Sequence, residues 1–504
     1  MPTIPPAVLA SKIYGCWLGK AVGGTLGTPH EGKPGPLALS YYDPVPRTSL
    51  PNDDLDLQVV WLHHLRRTRA TTVTPELLAE AWQRHVLFPF DEYAIARRNR
   101  AWGLSGAAQG ATDNYFGECM GAAIRSEIWA CIAPGDPERA AGLAWADAVV
   151  DHCGEGVLAE VFHAVIESAA FHETDRDRLI QIGLSYLPAH SRLKRALQDT
   201  LAWWHERPDW RYVRERVIER HHPGNFTDVV CNLCFELIGW FDGNGDFGRS
   251  ICTAVNCGLD TDCTGATLGA LLGIIDPERI PERWRMPIGE DIVLSEAIVD
   301  LAKPKDLNEL TAWTIEVGRQ LAEFRPVRGP VLPHLPASPA TAVRPIPAVE
   351  ACSNDAAILD SAAVPGASGW RSAPLSGFWS VWRAQDFAER VRILRLHFEL
   401  EHNGDVKLML FYRARGAAWI DGRRVLTVSA AAIDADPFIA PSFHRAGPTA
   451  AVVAGLAAGA HELVLALEAP ATGRSVDLVF GLADPVSNLW LPHAFVPVAA
   501  PCSH

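Results

Sequence analysis

The feature that most constrains the fold is a change of period along the chain. Up to about residue 323 the apolar residues recur every three to four positions. "PELLAEAWQRHVLF", "DRLIQIGLSYL", "SRLKRALQDTLAWWHER" and "EAIVDLAKPKDLNELTAWTIEVGRQLAEF" each carry the apolar stripe of a helix. Strand-like alternation is nearly absent from this region. Then comes "RPVRGPVLPHLPASPATAVRPIPAVEA", whose seven prolines between Pro326 and Pro347 support neither a helix nor a central strand. Beyond it the period falls to two. Leu394, Leu396, Phe398 and Leu400 alternate with polar residues, "HNGD" supplies turn chemistry, and Val406, Leu408, Leu410 and Tyr412 resume the alternation. The expected architecture is multidomain: an all-α domain over residues 1–324, a Pro-rich linker over 325–350, and a β-sandwich over 351–504.

Composition narrows the functions open to such a chain. A hydrophobic fraction of 48% with 21% charged residues in 504 residues describes a globular protein with ample core. A net charge of −14 argues against nonspecific binding to nucleic acid or an anionic membrane. The N-terminus lacks a basic stretch followed by a long apolar one, and the longest apolar run, "GATLGALLGII", is short and broken by glycine. Eleven scattered cysteines suit a reducing compartment, so a cytoplasmic location is expected. Cys231 and Cys234 form a CxxC with no second spaced pair, which reads as buried thiols before it reads as a zinc site.

Two acid clusters stand out. In "PNDDLDLQVVWLHHL", Asn52 is placed to cap a helix whose first turn holds Asp53, Asp54 and Asp56. About two hundred residues later, "NCGLDTDCTGATLGALLG" sets Asp260 and Asp262 on a tight loop ahead of a helix in which Gly265, Gly269 and Gly273 fall four apart. Such a strip lets another helix or loop approach closely. Each cluster alone is satisfied by starting a helix; both together suit a hard divalent cation, which takes clustered carboxylate oxygens.

A third segment, "GCWLGKAVGGTLGTPHEG", is a glycine-spaced helix ending in Pro29 and Glu31. These three segments, in this order, resemble the ADP-ribosylglycohydrolase family of the dinitrogenase-reductase-activating type, whose members carry a glycine-spaced start, a "TDDT" cluster and a late "DTDT" motif. The resemblance covers about residues 11 to 300 and leaves the C-terminal region unexplained. It implies an all-α hydrolase with a binuclear Mg²⁺ or Mn²⁺ centre that cleaves an N- or O-glycosidic bond at C1 of a ribose. By that resemblance the metal ligands are Asn52, Asp53, Asp54, Asp260 and Asp262. Glu31, Asp54 and Asp262 are the candidates for orienting the attacking water. Gly117, Glu118, Met120 and Gly121, with His152, fall on the family's substrate-binding residues.

The chain also departs from the pattern. Asn52 and Leu55 replace the threonines of "TDDT", Gly24 stands where an Asp is frequent, and Cys263 replaces the last hydroxyl residue of "DTDT", next to Thr264. A thiol is a poor partner for Mg²⁺, so either Thr264 or water substitutes, or the second metal binds weakly. "FGECMGAAIR" lacks the usual Met-Arg pair. The expectation is a metal-dependent glycohydrolase acting on a small ribosyl or glycosyl compound. The alternatives are a protein de-ADP-ribosylating hydrolase and a catalytically silent binder of ADP-ribose or a sugar. Other candidates carry less. His63-His64 and His221-His222 point apart on helices. "GNGDFG" lacks the preceding strand of a phosphate loop. Trp370, Trp379, Trp382, Trp419 and Trp490 read as sandwich core before they read as sugar-stacking platforms.

Overall fold

In the computed structural model, which describes residues 4–336, 346–434, 441–444, 447–491 and 494–496, the N-terminal region is helical and the C-terminal region is built of antiparallel strands. Contacts divide the chain into two units. The first comprises Met1–Phe88, Ser105–Ala111 and Phe116–Pro333; the second comprises Pro89–Leu104, Thr112–Tyr115 and His334–His504. Of the expected linker, residues 337–345 lie outside the described residues.

The first unit is organised around two helices, Pro6–Gly27 and Thr261–Ile275, that run antiparallel with their backbones in contact. A Cβ on Gly15 would lie 2.4 Å from the carbonyl oxygen of Gly273, one on Gly19 2.0 Å from that of Gly269, and one on Gly23 1.9 Å from that of Gly265. At Gly27 it would meet Thr261 O at 2.2 Å and the backbone nitrogen of Asp262 at 2.4 Å. The glycine strip expected from the spacing in "TGATLGALLG" therefore meets a matching strip on the first helix. This contact is what holds the late acid motif against the end of the first. At its far end Lys12 Nζ donates to the carbonyls of Ile274 at 2.6 Å and Ile275 at 3.3 Å, covering the free acceptors of the helix C-terminus.

The helical stripes appear as Pro75–His85, Arg176–Tyr186 and Arg192–Glu206. The stretch from Glu296 to Phe324 is shorter than its periodicity suggests: only Leu307–Gln320 is helical. Pro304 cannot supply an N–H within a helix, and Asp306 instead caps the new start through Glu309 N at 2.9 Å.

The second unit holds eleven strands among the described residues: β1 Val349–Ser353, β2 Arg371–Ser372, β3 Trp379–Arg383, β4 Val391–Leu400, β5 Gly404–Tyr412, β6 Gly416–Ile420, β7 Arg423–Val428, β8 Ala450–Leu456, β9 Gly459–Glu468, β10 Ser475–Ala483 and β11 Phe495–Val496. They form one sheet of order β2-β1-β4-β9-β6-β7, with β11 also on β4, and a second of order β3-β10-β5-β8. Every pairing is antiparallel. The alternating residues Leu394, Leu396 and Phe398 of β4 share one core with Leu408, Leu410 and Tyr412 of β5. Those two strands belong to different sheets, so "HNGD" turns the chain from one sheet to the other and does not close a hairpin.

The tryptophans behave as core. Trp382 and Trp419 are buried, and Trp370, Trp379 and Trp490 pack half-buried against core clusters. The same unit includes the helix Asp91–Ala101. Its Arg98 lies over the rings of Trp102, Trp490 and Phe378 at 4.6, 4.8 and 5.3 Å. Asp113, buried and in left-handed backbone (φ 49°), pairs with Arg98 at 3.2 Å and accepts from the N–H groups of Phe378 and Trp379 at 2.9 Å each.

Candidate functional site

The helix Asp53–Thr68 starts as its sequence dictates: Asn52 Oδ1 accepts from Asp54 N at 2.7 Å and caps it. The cap does a second thing. Asn52 Nδ2 donates to Asp262 Oδ2 at 3.2 Å, joining the two acid motifs across 210 residues, and lies 3.4 Å from Thr28 Oγ1. A side chain at Gly24 would come within 3.2 Å of that same Nδ2, so the two departures from the family pattern at 24 and 52 lie in contact.

Asp54 is almost fully buried, with Lys20 Nζ at 3.2 Å from its Oδ1 and no partner on Oδ2. Lys20 also binds Glu127 Oε1 at 2.7 Å, and Gln58 ties the group together by donating to Glu127 Oε2 at 2.9 Å and to the Asp54 carbonyl at 2.8 Å. Burial pushes the Asp54 carboxyl up to about 7 against the pull of Lys20. Burial lowers Lys20 in turn, but Glu127 and Asp54 overcome it and keep the ammonium charged.

Asp260 and Asp262 are buried at the start of the glycine-strip helix, and burial followed by the charge of Glu31 raises both well above the carboxylate range. Glu31 is exposed at their edge. It is held there by Gly32 N to Leu259 O at 2.9 Å and Leu259 N to Lys33 O at 2.7 Å, with Leu259 in left-handed backbone at φ 67°. Asp262 Oδ1 is a buried oxygen without a partner. Donor atoms of Asp54, Asp262 and Cys263 all lie within 4.8 Å of one another. Asp53 is half-buried beside Asp54, and its charge raises the carboxyls of both Asp54 and Asp262.

Two orphaned carboxylate oxygens, each on a side chain more than nine-tenths buried, and a converging third donor fit a divalent cation. Without one the like charges oppose ionisation of the whole set.

The loop expected to bind substrate comes together with His152. Gly117 O accepts from Cys153 N at 2.9 Å, and His152 Nε2 accepts from Ala122 N at 3.2 Å. Glu118 pairs with Arg192 at 3.2 Å, and Met120 is buried. Gly121 O accepts from Arg125 Nη1 at 2.5 Å. Behind this loop Arg125 binds Asp151 at 2.8 Å and Asp147 at 3.0 Å, while Trp61 and Trp129 both donate to Asp147 Oδ2 at 2.9 Å. Burial pushes Asp151 up, yet Arg125 and His152 hold it below the usual range; Asp147 and Glu160 are raised by burial. The loop continues into Ala123–Arg125, where Ile124 O accepts from the Gln58 amide that also serves Asp54. This links the loop to the carboxylates.

Sequence reasoning passed over Lys20 and Glu127, and took Asp56 only as a first-turn acid and Cys263 only as a departure from the motif. Lys20 carried a signal: in the helix Pro6–Gly27 it is, with Lys12, the only charged residue, and a charge on a helix packed through glycine must be buried and paired. Asp56 is buried and lifted by burial to about 8, with Ser295 N at 3.2 Å from its Oδ2. Thr264 turns its hydroxyl to Thr261 O at 3.2 Å. Among the described residues no helix is long and apolar enough to cross a membrane.

No curated protein matches the chain. A solved structure titled "ADP-ribosylglycohydrolase-related protein complex" is 19% identical over 62% of this chain and 99% of its own, with a TM-score of 0.44. An anti-sigma factor domain-containing protein from Clostridium clariflavum is 14% identical over 31% of this chain and 48% of its own, with a TM-score of 0.21. The sequence model of the ADP-ribosylglycohydrolase family matches residues 5–316, a span that holds the paired glycine helices, both acid motifs and the loop around Met120. The chain belongs to the ADP-ribosylglycohydrolase family.

Proposed function

We propose that the chain is a metal-dependent glycohydrolase that cleaves a glycosidic bond at C1 of a ribosyl or smaller glycosyl compound. The observation that supports this best is the convergence of donor atoms of Asp54, Asp262 and Cys263 within 4.8 Å, on a pair of acids that each carry a buried oxygen without a partner, Asp262 also feeling the charge of the exposed Glu31. Asp53, Asp54, Asp260 and Asp262, with Asn52, are the residues that would hold one or two divalent ions. Such an ion supplies a fixed positive charge for the sugar hydroxyls and makes water more acidic.

The chain's own residues do the rest. Asn52 fixes the rotamer of Asp262, and Lys20 holds one oxygen of Asp54 while leaving the other free. Glu31, the reachable carboxylate, takes the proton of the attacking water as positive charge builds at the anomeric carbon. The Gly117–Gly121 loop and His152 orient the glycosyl group. The substrate in this reading is a small molecule, with no nucleic acid or membrane partner.

The test is a substrate panel with Mn²⁺ or Mg²⁺ present: ribosides, ADP-ribosyl compounds, and peptides ADP-ribosylated on Arg or Ser. Turnover of small glycosides that Glu31→Gln abolishes while binding persists supports the proposal. Release of ADP-ribose from modified peptides alone makes the protein a de-ADP-ribosylating hydrolase. Binding without turnover on every substrate makes it a silent binder.

A further inference from the structure

We propose that Cys263 is a ligand of the cation in this cleft, and that the site therefore prefers a thiophilic divalent ion of the zinc and cobalt class over Mg²⁺. The inference rests on the cation-dependent reading above and goes further by naming the donor set. The Sγ of Cys263 and carboxylate oxygens of Asp54 and Asp262 lie within 4.8 Å of one another. Oxygen and sulfur donors sharing one tetrahedral ion stand roughly 3.5 Å apart, so side-chain adjustments of about an ångström would close this arrangement into a first shell.

The oxygens are available. Asp54 Oδ2 and Asp262 Oδ1 are buried and have no partner, on side chains 1% and 6% exposed. The backbone that carries Cys263 is fixed. Asp262 lies against Gly27 and Gly265 against Gly23, so the thiol cannot swing out with its helix. A buried thiol in an otherwise oxygen-only set tells against Mg²⁺, which keeps oxygen ligands and its own waters, and suits ions that accept mixed sulfur and oxygen donors. These three donors leave positions open for a further carboxylate of the cleft, for water and for substrate. Coordination takes the sulfur as thiolate, and its proton leaves to solvent.

The experiment uses the full-length protein, stripped with a chelator and titrated with Co²⁺ under a thiol-free reductant. One equivalent of Co²⁺ should produce a near-ultraviolet sulfur-to-cobalt charge-transfer band. Cys263→Ser and Cys263→Thr should lose that band while keeping the visible cobalt transitions, with melting curves in chelator that match the wild type. The preference for Zn²⁺ over Mn²⁺ should be larger in the wild type than in Cys263→Thr, where it falls to that of an oxygen-only site. The wild-type spectrum decides whether any thiolate ligates, without recourse to a variant. Cobalt bound with no thiolate band, or a band that survives in Cys263→Ser, overturns the inference and leaves the cation reading standing. Calorimetry that shows no binding of Co²⁺, Zn²⁺, Mn²⁺ or Mg²⁺ overturns both.

Discussion

Asn52 donates through its amide to Asp262 Oδ2 at 3.2 Å while its own oxygen caps the helix that begins at Asp53. One side chain thus starts a helix and locks together two acid motifs 210 residues apart. The question of whether these acids start helices or form a site has the same geometric answer at both: the first turn is where the backbone turns carboxylates toward the neighbouring motif. A helix-dipole role needs no such convergence, and it would leave Asp54 and Asp262 exposed to water.

Asn52→Ala should therefore cost more than a lost cap, about 1 kcal/mol, because the bond to the buried Asp262 goes with it; ~2–3 kcal/mol in total is expected. Asn52→Asp keeps the cap and sets another carboxylate against Asp262. It should melt below the wild type in chelator and regain most of that loss when Mn²⁺ is added. Thermal melts with and without Mn²⁺ check both. An Asn52→Asp protein indifferent to Mn²⁺ would count against a cation at this place.

The glycine strip was legible because its spacing of four residues repeats in two segments, and glycine on one helical face has little use other than close approach. The alternation in β4 and β5 was legible for a similar reason: every second residue is core. What joins these elements was not. β4 and β5 are neighbours in sequence but lie in different sheets, and nothing in "HNGD" separates a hairpin from a crossover. The helix Asp91–Ala101 reads as one more helix of the N-terminal region, yet its Arg98 and Trp102 pack on Phe378 and Trp490, nearly three hundred residues on or more. At the site, the acids were visible as clusters, whereas Glu127 stands alone in "SEIWACI" and resembles any first-turn acid until Lys20 is found against it.

Gly19→Ala and Gly23→Ala should each destabilise by ~3 kcal/mol or more, since the added methyl would lie 2.0 and 1.9 Å from a backbone oxygen that cannot move without parting the helices. The Gly23 substitution should also weaken Mn²⁺ binding, because it displaces the turn that carries Asp262. Gly318→Ala is the control. Its methyl meets nothing closer than 3.7 Å, and a helical glycine replaced there should gain ~0.5–1 kcal/mol. Chemical denaturation of the three variants gives the comparison.

The raised carboxyls fix the sign of a pH effect in the metal-free protein. Below pH 3.8 Asp54 is protonated whether the chain is folded or not, and contributes nothing. As pH rises from there toward about 7 the unfolded chain ionises first, so stability falls, and above about 7 the loss is constant. Asp260 and Asp262 act in the same direction. Chelated protein should melt higher near pH 5 than near pH 8 by this contribution. Asp54→Asn should remove part of the slope, and a saturating divalent ion should remove most of it, adding ~2.7 kcal/mol at a hundred times its dissociation constant. An identical slope in wild type and Asp54→Asn would show that Asp54 is not the group responsible.

The second unit offers a test that does not involve the cation. Asp113 meets Arg98 at 3.2 Å and two backbone N–H groups at 2.9 Å, all buried, and Gly377 leaves the room it needs, since a Cβ there would stand 2.4 Å from Asp113 Oδ1. Asp113→Ala strands a guanidinium among three aromatic rings with no counter-charge, and should cost ~3–5 kcal/mol. Asp113→Asn keeps an acceptor for Phe378 or Trp379 and tolerates the left-handed backbone at this position, so it should lose clearly less. Combining it with Arg98→Met, which fills the same space between the rings without a charge, should recover part of that loss. Near-ultraviolet circular dichroism of the tryptophans, followed through thermal unfolding, reports this directly. If Asp113→Ala melts with the wild type, the ion pair contributes nothing to holding the helix Asp91–Ala101 on the strand that begins at Trp379.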